Sequence, residues 1–322
     1  MNVRRSAALL LVVCLCSSWG FYGHRKINEL AVYTLPPAML GFYKKNQRNL
    51  RDAAVNPDRR RYAVAEEAAR HYIDLDAWGD SAISRLPHRW QDAVSQYGAD
   101  SLQRHGIVPW HLYHVYLQLK DAFLKNDPAA VLRLSADLGH YVADAHVPLH
   151  TTRNYDGQLT GQQGIHALWE SRLPELFSDR YQFMTGRARY LDDVRETAWL
   201  IVAASSAAVD SVLQLERQLS GIDGRPYSFE GRGRQVVKVV GAGYARQYHE
   251  LLNNMVERRM RASVYMTGCF WYTAWVDAGQ PDLQGWISYK PTAAELAERK
   301  QQIELWKHTL YPARPHEQSD NN

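Results

Sequence analysis

The sequence predicts an all-α fold, a single multi-helix domain, on three observations. Apolar residues recur at helical spacing through most of the chain. Alternating strand-like runs bounded by turn signals are hard to find. Pro36, Pro87, Pro109 and Pro128 fall near the starts of periodic stretches, where a missing N–H costs nothing. The periodicity predicts helices over 24–34, 37–46, 61–71, 88–96, 109–126, 128–146, 164–172, 190–218 and 232–278, the last long or divided; Pro148 sits just past one helix end. With no internal repeat, Ser/Gly linker or sharp composition change, 19–313 reads as one domain and 314–322 as a disordered tail.

The 322 residues are 46% apolar and 22% charged, which excludes disordered, collagenous and low-complexity classes. Met1 to Ser18 has a basic start (Arg4, Arg5), an apolar run from Ala7 to Cys16 and small residues at Ser17 and Ser18, so 1–18 reads as a secretory signal peptide. The run is about half the length of a membrane span, and no transmembrane segment is expected in the mature chain, which should be secreted or periplasmic. Val13 and Leu15 ahead of Cys14 and Cys16 argue against a lipoprotein signal. Losing Arg4 and Arg5 lowers the formal charge from +4 to +2, too little to imply nucleic acid or membrane through net charge. Cleavage also leaves Cys269 alone, so no intrachain disulfide can form, and stability must come from a large core or bound metal.

Three patterns carry candidate chemistry. His140 and Asp144 are four apart, hence on one helix face, and Pro148 lets His150 turn back toward them. His166 and Glu170 repeat the four-residue spacing, and His71 ends a helical pattern thirteen residues after Asp58. One such pair is common on a solvated helix; two within thirty residues, joined by His150, favour a metal site. Imidazole and carboxylate without thiolate suit catalytic zinc.

With these residues on the page, the chain resembles the zinc-dependent phospholipase C and S1/P1 nuclease superfamily. The resemblance covers mainly residues 19–172 and rests on order together with spacing. Trp19 matches the family's first mature residue, whose amine and carbonyl bind zinc; His24 follows five residues on, as in the nuclease branch. The His-x3-Asp-x5-His core matches His140, Asp144 and His150, and the His before an I/F-D pair matches His71. His166 and Glu170 match the last pair in its phospholipase form, and the upstream Asp is carried to Asp58. Two departures stand out: a nuclease-like Trp19-to-His24 spacing is combined with a phospholipase-like gap from His150 to His166, and the disulfides of secreted fungal and plant nucleases are lacking.

The resemblance implies an all-helical phospholipase C/P1 nuclease-type domain holding three zinc ions. One would take Asp58, His71, His140 and Asp144; a second Trp19 and His24 with Asp144 bridging; the third His150, His166 and Glu170. Three zinc ions carry +6 and the three carboxylates remove 3, leaving about +3 to meet a phosphodiester and the charge that develops on nucleophilic attack. Asp58 is the candidate for orienting or deprotonating the attacking water.

Neighbouring residues have second readings. His146 should be structural, since it sits two positions from Asp144. His111 and His114 could form a rival metal pair, but Trp and Tyr around them favour a buried face. Arg59, Arg60 and Arg61 could contact phosphate or form a solvated run. Asp74 and Asp76 could orient His ligands or cap a turn. The polar loop between His150 and His166 should lie at the cluster mouth, with Asn154 and Tyr155 either binding substrate or holding the loop.

The expected function is an exported zinc-dependent phosphodiester hydrolase, with a phospholipase C-like substrate preferred and an S1/P1-type single-strand nuclease as the alternative. A non-catalytic metal-binding helical protein is the alternative of another class, and a di-iron bundle would want Glu-x-x-His pairs instead. The expected partner is the phospholipid or single-stranded nucleic acid substrate, with no stable protein partner.

Overall fold

The computed structural model describes residues 21–232, 235–311 and 313–314. Residues 1–18, expected to be a signal peptide, Trp19 and the expected tail 315–322 lie outside the described residues. The described chain is mostly helical, built round the Pro128–Ala145 helix. Asp127 caps this helix by accepting the Ala130 N–H, Pro128 occupies its first position, and fourteen of its residues are buried. A helix apolar on all sides must be enclosed, and it is: Phe21–Ala31, Gln47–Ala53, Val108–Leu124, Val194–Ser206 and Met255–Asp277 pack around it.

The Phe21–Ala31 helix packs tightly on the central helix at Gly139. Asn28 donates to the His24 carbonyl at 3.3 Å and to the Ala136 carbonyl at 3.5 Å, reaching across Gly139. A Cβ at Gly139 would overlap the Asn28 amide, so glycine there sets the helix separation. Two apolar clusters flank this crossing. The larger includes Phe42, Tyr43, Phe123, Trp199 and Trp271; the smaller holds Leu149, Ile165, Trp169, Phe177, Tyr244 and Tyr248.

Four expectations are corrected. The stretch 232–278 is not continuous helix: Tyr227–Arg232 (β1) and Gln235–Val240 (β2) pair as an antiparallel hairpin, followed by the Ala242–Leu251 and Met255–Asp277 helices. The β-branched alternation of QVVKVV, after Gly224 and Pro226, was the missed signal. The helix expected at 190–218 starts only at Val194, where Asp193 caps it, and is interrupted between Ser206 and Val209. The stretch 61–71 is mostly turns ending in a short 3-10 segment, Ala68–His71, with Glu66 at φ 66°. Arg314 is no part of a loose tail: its guanidinium pairs with both oxygens of Asp74. The Ala293–Leu305 helix was not foreseen, although its Thr292/Glu295 capping box is readable in the sequence.

Gly139→Ala should lower thermal stability, with an overpacking cost of about 1–3 kcal/mol, because the added methyl forces the two helices apart. An unchanged melting temperature would show that Asn28 moves aside freely.

Candidate metal centre

Eight of the nine expected ligands converge. His24 comes from the first turns of the Phe21–Ala31 helix, Asp58 from the short Asn56–Arg60 helix, His71 from the 3-10 segment, and His140 and Asp144 from successive turns of the central helix. His150 follows Pro148 in a 3-10 turn, and His166 and Glu170 come from the helical stretch 165–177. Their donor atoms form four overlapping groups, each within 4.8 Å: His24/Asp58/His140, His71/His140/Asp144, His150/His166/Glu170 and His24/Asp144/Glu170. Trp19, the ninth, is outside the described residues.

Local structure explains how the side chains face one another. Pro174 has no N–H to return to the Glu170 carbonyl, and the backbone widens into a π-helical turn over Leu168–Arg172. Glu170 Oε2 then lies 2.7 Å from His166 Nε2 and 3.3 Å from His150 Nε2, while Oε1 lies 3.2 Å from His24 Nε2. His71 Nδ1 is 2.9 Å from Asp144 Oδ2 and 3.0 Å from His140 Nε2. His24 stacks on His140 with ring centroids 4.0 Å apart.

Surrounding carbonyls set the tautomers. His140 Nδ1–H donates to the Ala54 carbonyl at 2.8 Å, and His150 Nδ1–H donates to the His71 carbonyl at 2.6 Å, so each presents an unprotonated Nε2 to the cluster. The His150 carbonyl in turn accepts the Ile73 N–H at 2.9 Å, tying the two ligand segments together in both directions. His71 uses Nδ1 toward the cluster, and its Nε2 lies 3.7 Å from Glu67 Oε1.

The electrostatics describe a cation-seeking cavity. Burial lowers the His24 pKa, yet the Glu170 hydrogen bond and the Asp144, Asp58 and Glu170 charges raise it to about 9. Burial, with Arg61 adding to it, holds His71 near about 4, neutral and fit to ligate. Burial favours the neutral forms of Asp144 and Glu170, but the surrounding histidines keep both well below the usual carboxylate range. Asp144 Oδ1 is buried with no hydrogen-bond donor. A buried cluster of three carboxylates and five imidazoles with such an oxygen could hold metal ions.

Several second readings are now resolved. His146 donates to the Val142 carbonyl at 2.7 Å and is held at about 3 by burial, as its structural reading expected. The buried-face reading fails for His114, which is exposed, while His111 is partly buried; both line a separate cavity of about 1100 Å³ that contains none of the eight cluster residues. The arginine run is not a solvated surface. Arg60 pairs with Glu67 at 3.0 Å and Asp137 at 3.1 Å, and Arg61, 5% exposed, brings Nη2 within 3.5 Å of Asp58 Oδ1 while its Nε has no hydrogen-bond partner.

Asn154 makes loop bonds, the structural one of its two readings: its amide donates to Thr160 and its carbonyl oxygen accepts from the Leu159 N–H. Tyr155 does line the mouth. Neither Asp74 nor Asp76 pairs with a cluster histidine; Asp76 accepts from Thr152 and Arg153 and so fixes the chain after His150, and Asp74 takes Arg314. Sequence reasoning missed Glu67, four residues before His71, a spacing that was available as a signal.

No protein-family model matches the chain, and a search of the curated proteins finds no match.

Two outcomes follow from this geometry. Asp144→Asn, which removes a charge shared between groups, should weaken zinc binding more than about hundredfold by calorimetry. Burial pushes the Glu67 pKa up, but Arg60, His71 and Arg70 bring it down from 4.5 to about 2. A depressed folded value means this stabilisation is complete above the unfolded value and is lost as pH falls through about 2. It amounts to about 3 kcal/mol. Glu67→Gln should remove it at pH 7, and the gap from wild type in urea unfolding should narrow as the solution is acidified below about pH 4.

Proposed function

We propose that the chain is an exported zinc-dependent phosphodiester hydrolase of the phospholipase C/S1-P1 type, a hydrolase acting on ester bonds. The observation that carries this reading is the convergence of His24, Asp58, His71, His140, Asp144, His150, His166 and Glu170 from separate segments into one buried cluster. Their order and spacing match the superfamily's, and Trp19 completes the set by that resemblance. Arg61, a buried cation with a spare Nε donor beside Asp58, supports an anionic substrate.

Zinc bound by these residues supplies Lewis-acid charge to a phosphoryl oxygen and lowers the pKa of water from about 15.7 toward about 7. The protein's own groups do the rest. Arg61 meets a non-bridging phosphate oxygen and stabilises the charge that grows there during attack. Asp58, whose Oδ1 lies 3.7 and 3.8 Å from His71 and His140 and whose Oδ2 lies 4.0 Å from His24 Nε2, is placed to orient or deprotonate the attacking water. The carbonyls of Ala54 and His71 keep His140 and His150 in their ligating tautomers throughout.

A lipid substrate is preferred over nucleic acid. Leu159, on the loop between His150 and His166, is 67% exposed, and Phe229 on β1 is 73% exposed. The hairpin is joined to the cluster helix by Arg172, which pairs with Glu230 and donates to the Val240 carbonyl at 3.1 Å. Exposed apolar side chains on the loop between two cluster residues and on the hairpin tied to the cluster helix suit an acyl-chain surface more than a phosphate backbone. The nuclease reading keeps one observation of its own, the Trp19-to-His24 spacing.

The test is to assay the zinc-loaded chain beginning at Trp19 against phosphatidylcholine and single-stranded DNA; cleavage of DNA alone would overturn the lipid preference, and turnover of neither the hydrolase reading. One extra residue ahead of Trp19 should reduce bound zinc from about three per chain and abolish activity. Arg61→Ala should lower kcat/KM by about a hundredfold at unchanged zinc content, with Arg61→Lys recovering part of the loss.

A further inference from the structure

The cavity beside the ligand cluster is lined in part by Arg314, more than 200 residues along the chain from His71. His71, His150 and His166 line a cavity of only about 10 Å³, and Arg61, Tyr155 and Arg314 share its wall. Arg314 is held there by an ion pair and two aromatic rings. Its Nη1 and Nη2 donate to the two oxygens of Asp74 at 2.9 and 2.6 Å, and its guanidinium carbon lies 3.7 Å from the Tyr72 ring centroid and 4.4 Å from that of Tyr155. A planar cation held between two aromatic faces with a forked carboxylate behind it uses every feature that distinguishes arginine from lysine. Asp74 is 1% exposed, so its charge is matched almost wholly by this one partner, with His105 Nδ1 at 3.8 Å.

The segment that brings Arg314 here is docked on the same stretch of chain. The N–H groups of Leu310 and Tyr311 both donate to the Tyr62 carbonyl, at 2.7 and 2.9 Å. The box residues are themselves tied to ligands: Tyr72 and Asp74 flank Ile73, whose N–H bonds the His150 carbonyl, and the Tyr155 ring lies 6.3 Å from that of His166.

We propose that Tyr72, Asp74 and Tyr155 form a guanidinium-binding box at the entrance to the metal centre, and that Arg314 is its internal ligand, a C-terminal plug that must leave before a substrate can reach the cluster. The box stands on geometry alone, whereas its role as a gate to catalysis rests on the hydrolase reading. A box made for a guanidinium should also accept a free one. Departure of Arg314 would expose two tyrosine faces and one carboxylate beside His150 and His166, together with Arg61.

The test reads access to the cluster without metal or substrate. In metal-free full-length protein, the rates at which diethyl pyrocarbonate modifies His150 and His166 are followed by mass spectrometry, with His88 as internal reference. Arg314→Ala should raise both rates at least about tenfold, and millimolar methylguanidinium should slow them again by refilling the box. Tyr155→Ala, which removes one ring and leaves the ion pair, should give an intermediate increase; it carries the test if Arg314→Ala does not fold. Equal rates in the wild type and a folded variant, or no response to methylguanidinium in folded Arg314→Ala, would overturn the plug. Because no hydrolysis is measured, failure of the plug and failure of the hydrolase reading are separate results. In the zinc-loaded enzyme, the plug also requires that Arg314→Ala raise kcat/KM on the substrate that is turned over.

Discussion

Three carboxylates are held out of water within reach of five imidazoles, and the rest of the molecule is arranged around keeping them there. An isolated buried carboxylate costs several kcal/mol, so Asp144 and Glu170 persist as anions only because histidines surround them. The compensation is incomplete, as the raised affinity of His24 for a proton and the unbonded Asp144 oxygen both indicate. A metal ion satisfies the same demand with greater charge, so one arrangement explains both the burial of the acids and the chemistry open to them.

Precision comes from the shell behind the ligands. The Ala54 carbonyl holds His140, and the mutual bonds between the His71 and His150 segments lock two stretches of chain that lie far apart in sequence. Glu67, buried between Arg60, Arg70 and His71, connects the cluster to a network reaching Asp137 and Tyr141 on the central helix. A displacement of that helix would therefore move His140 and Asp144 directly and His71 through Glu67. The tight crossing at Gly139, directly before His140, therefore bears on the cluster.

Arginine has four different tasks in the structure, each set by its neighbours. Arg60 neutralises buried acids, Arg61 stands at the rim of the cluster with a free donor, Arg172 fastens the hairpin to the cluster helix, and Arg314 fills the entrance. Nothing in a local run such as Arg59-Arg60-Arg61 separates these roles, because they depend on which acids and rings the fold brings alongside.

Residue order alone was enough for the helical character and for most of the residues that converge in the cluster. The pairs His140/Asp144 and His166/Glu170 obey a helical period that acts within one turn, so their shared faces follow from local geometry. The limits of the helices were less legible. The hairpin at 227–240 is held by Arg172 and by packing of Val239 and Val240, which are long-range effects, and 61–71 gives up its helical period so that His71 can meet Asp144. Only the tertiary structure decided that Asn154 serves its loop, that Glu67 stands behind His71 and that Arg314 lies across the entrance. Periodicity reports what a residue shares with its own turn. Contacts between residues hundreds of positions apart, such as Asp74 and Arg314, depend on how the helices cross, and that is settled by burial and close packing of the whole chain.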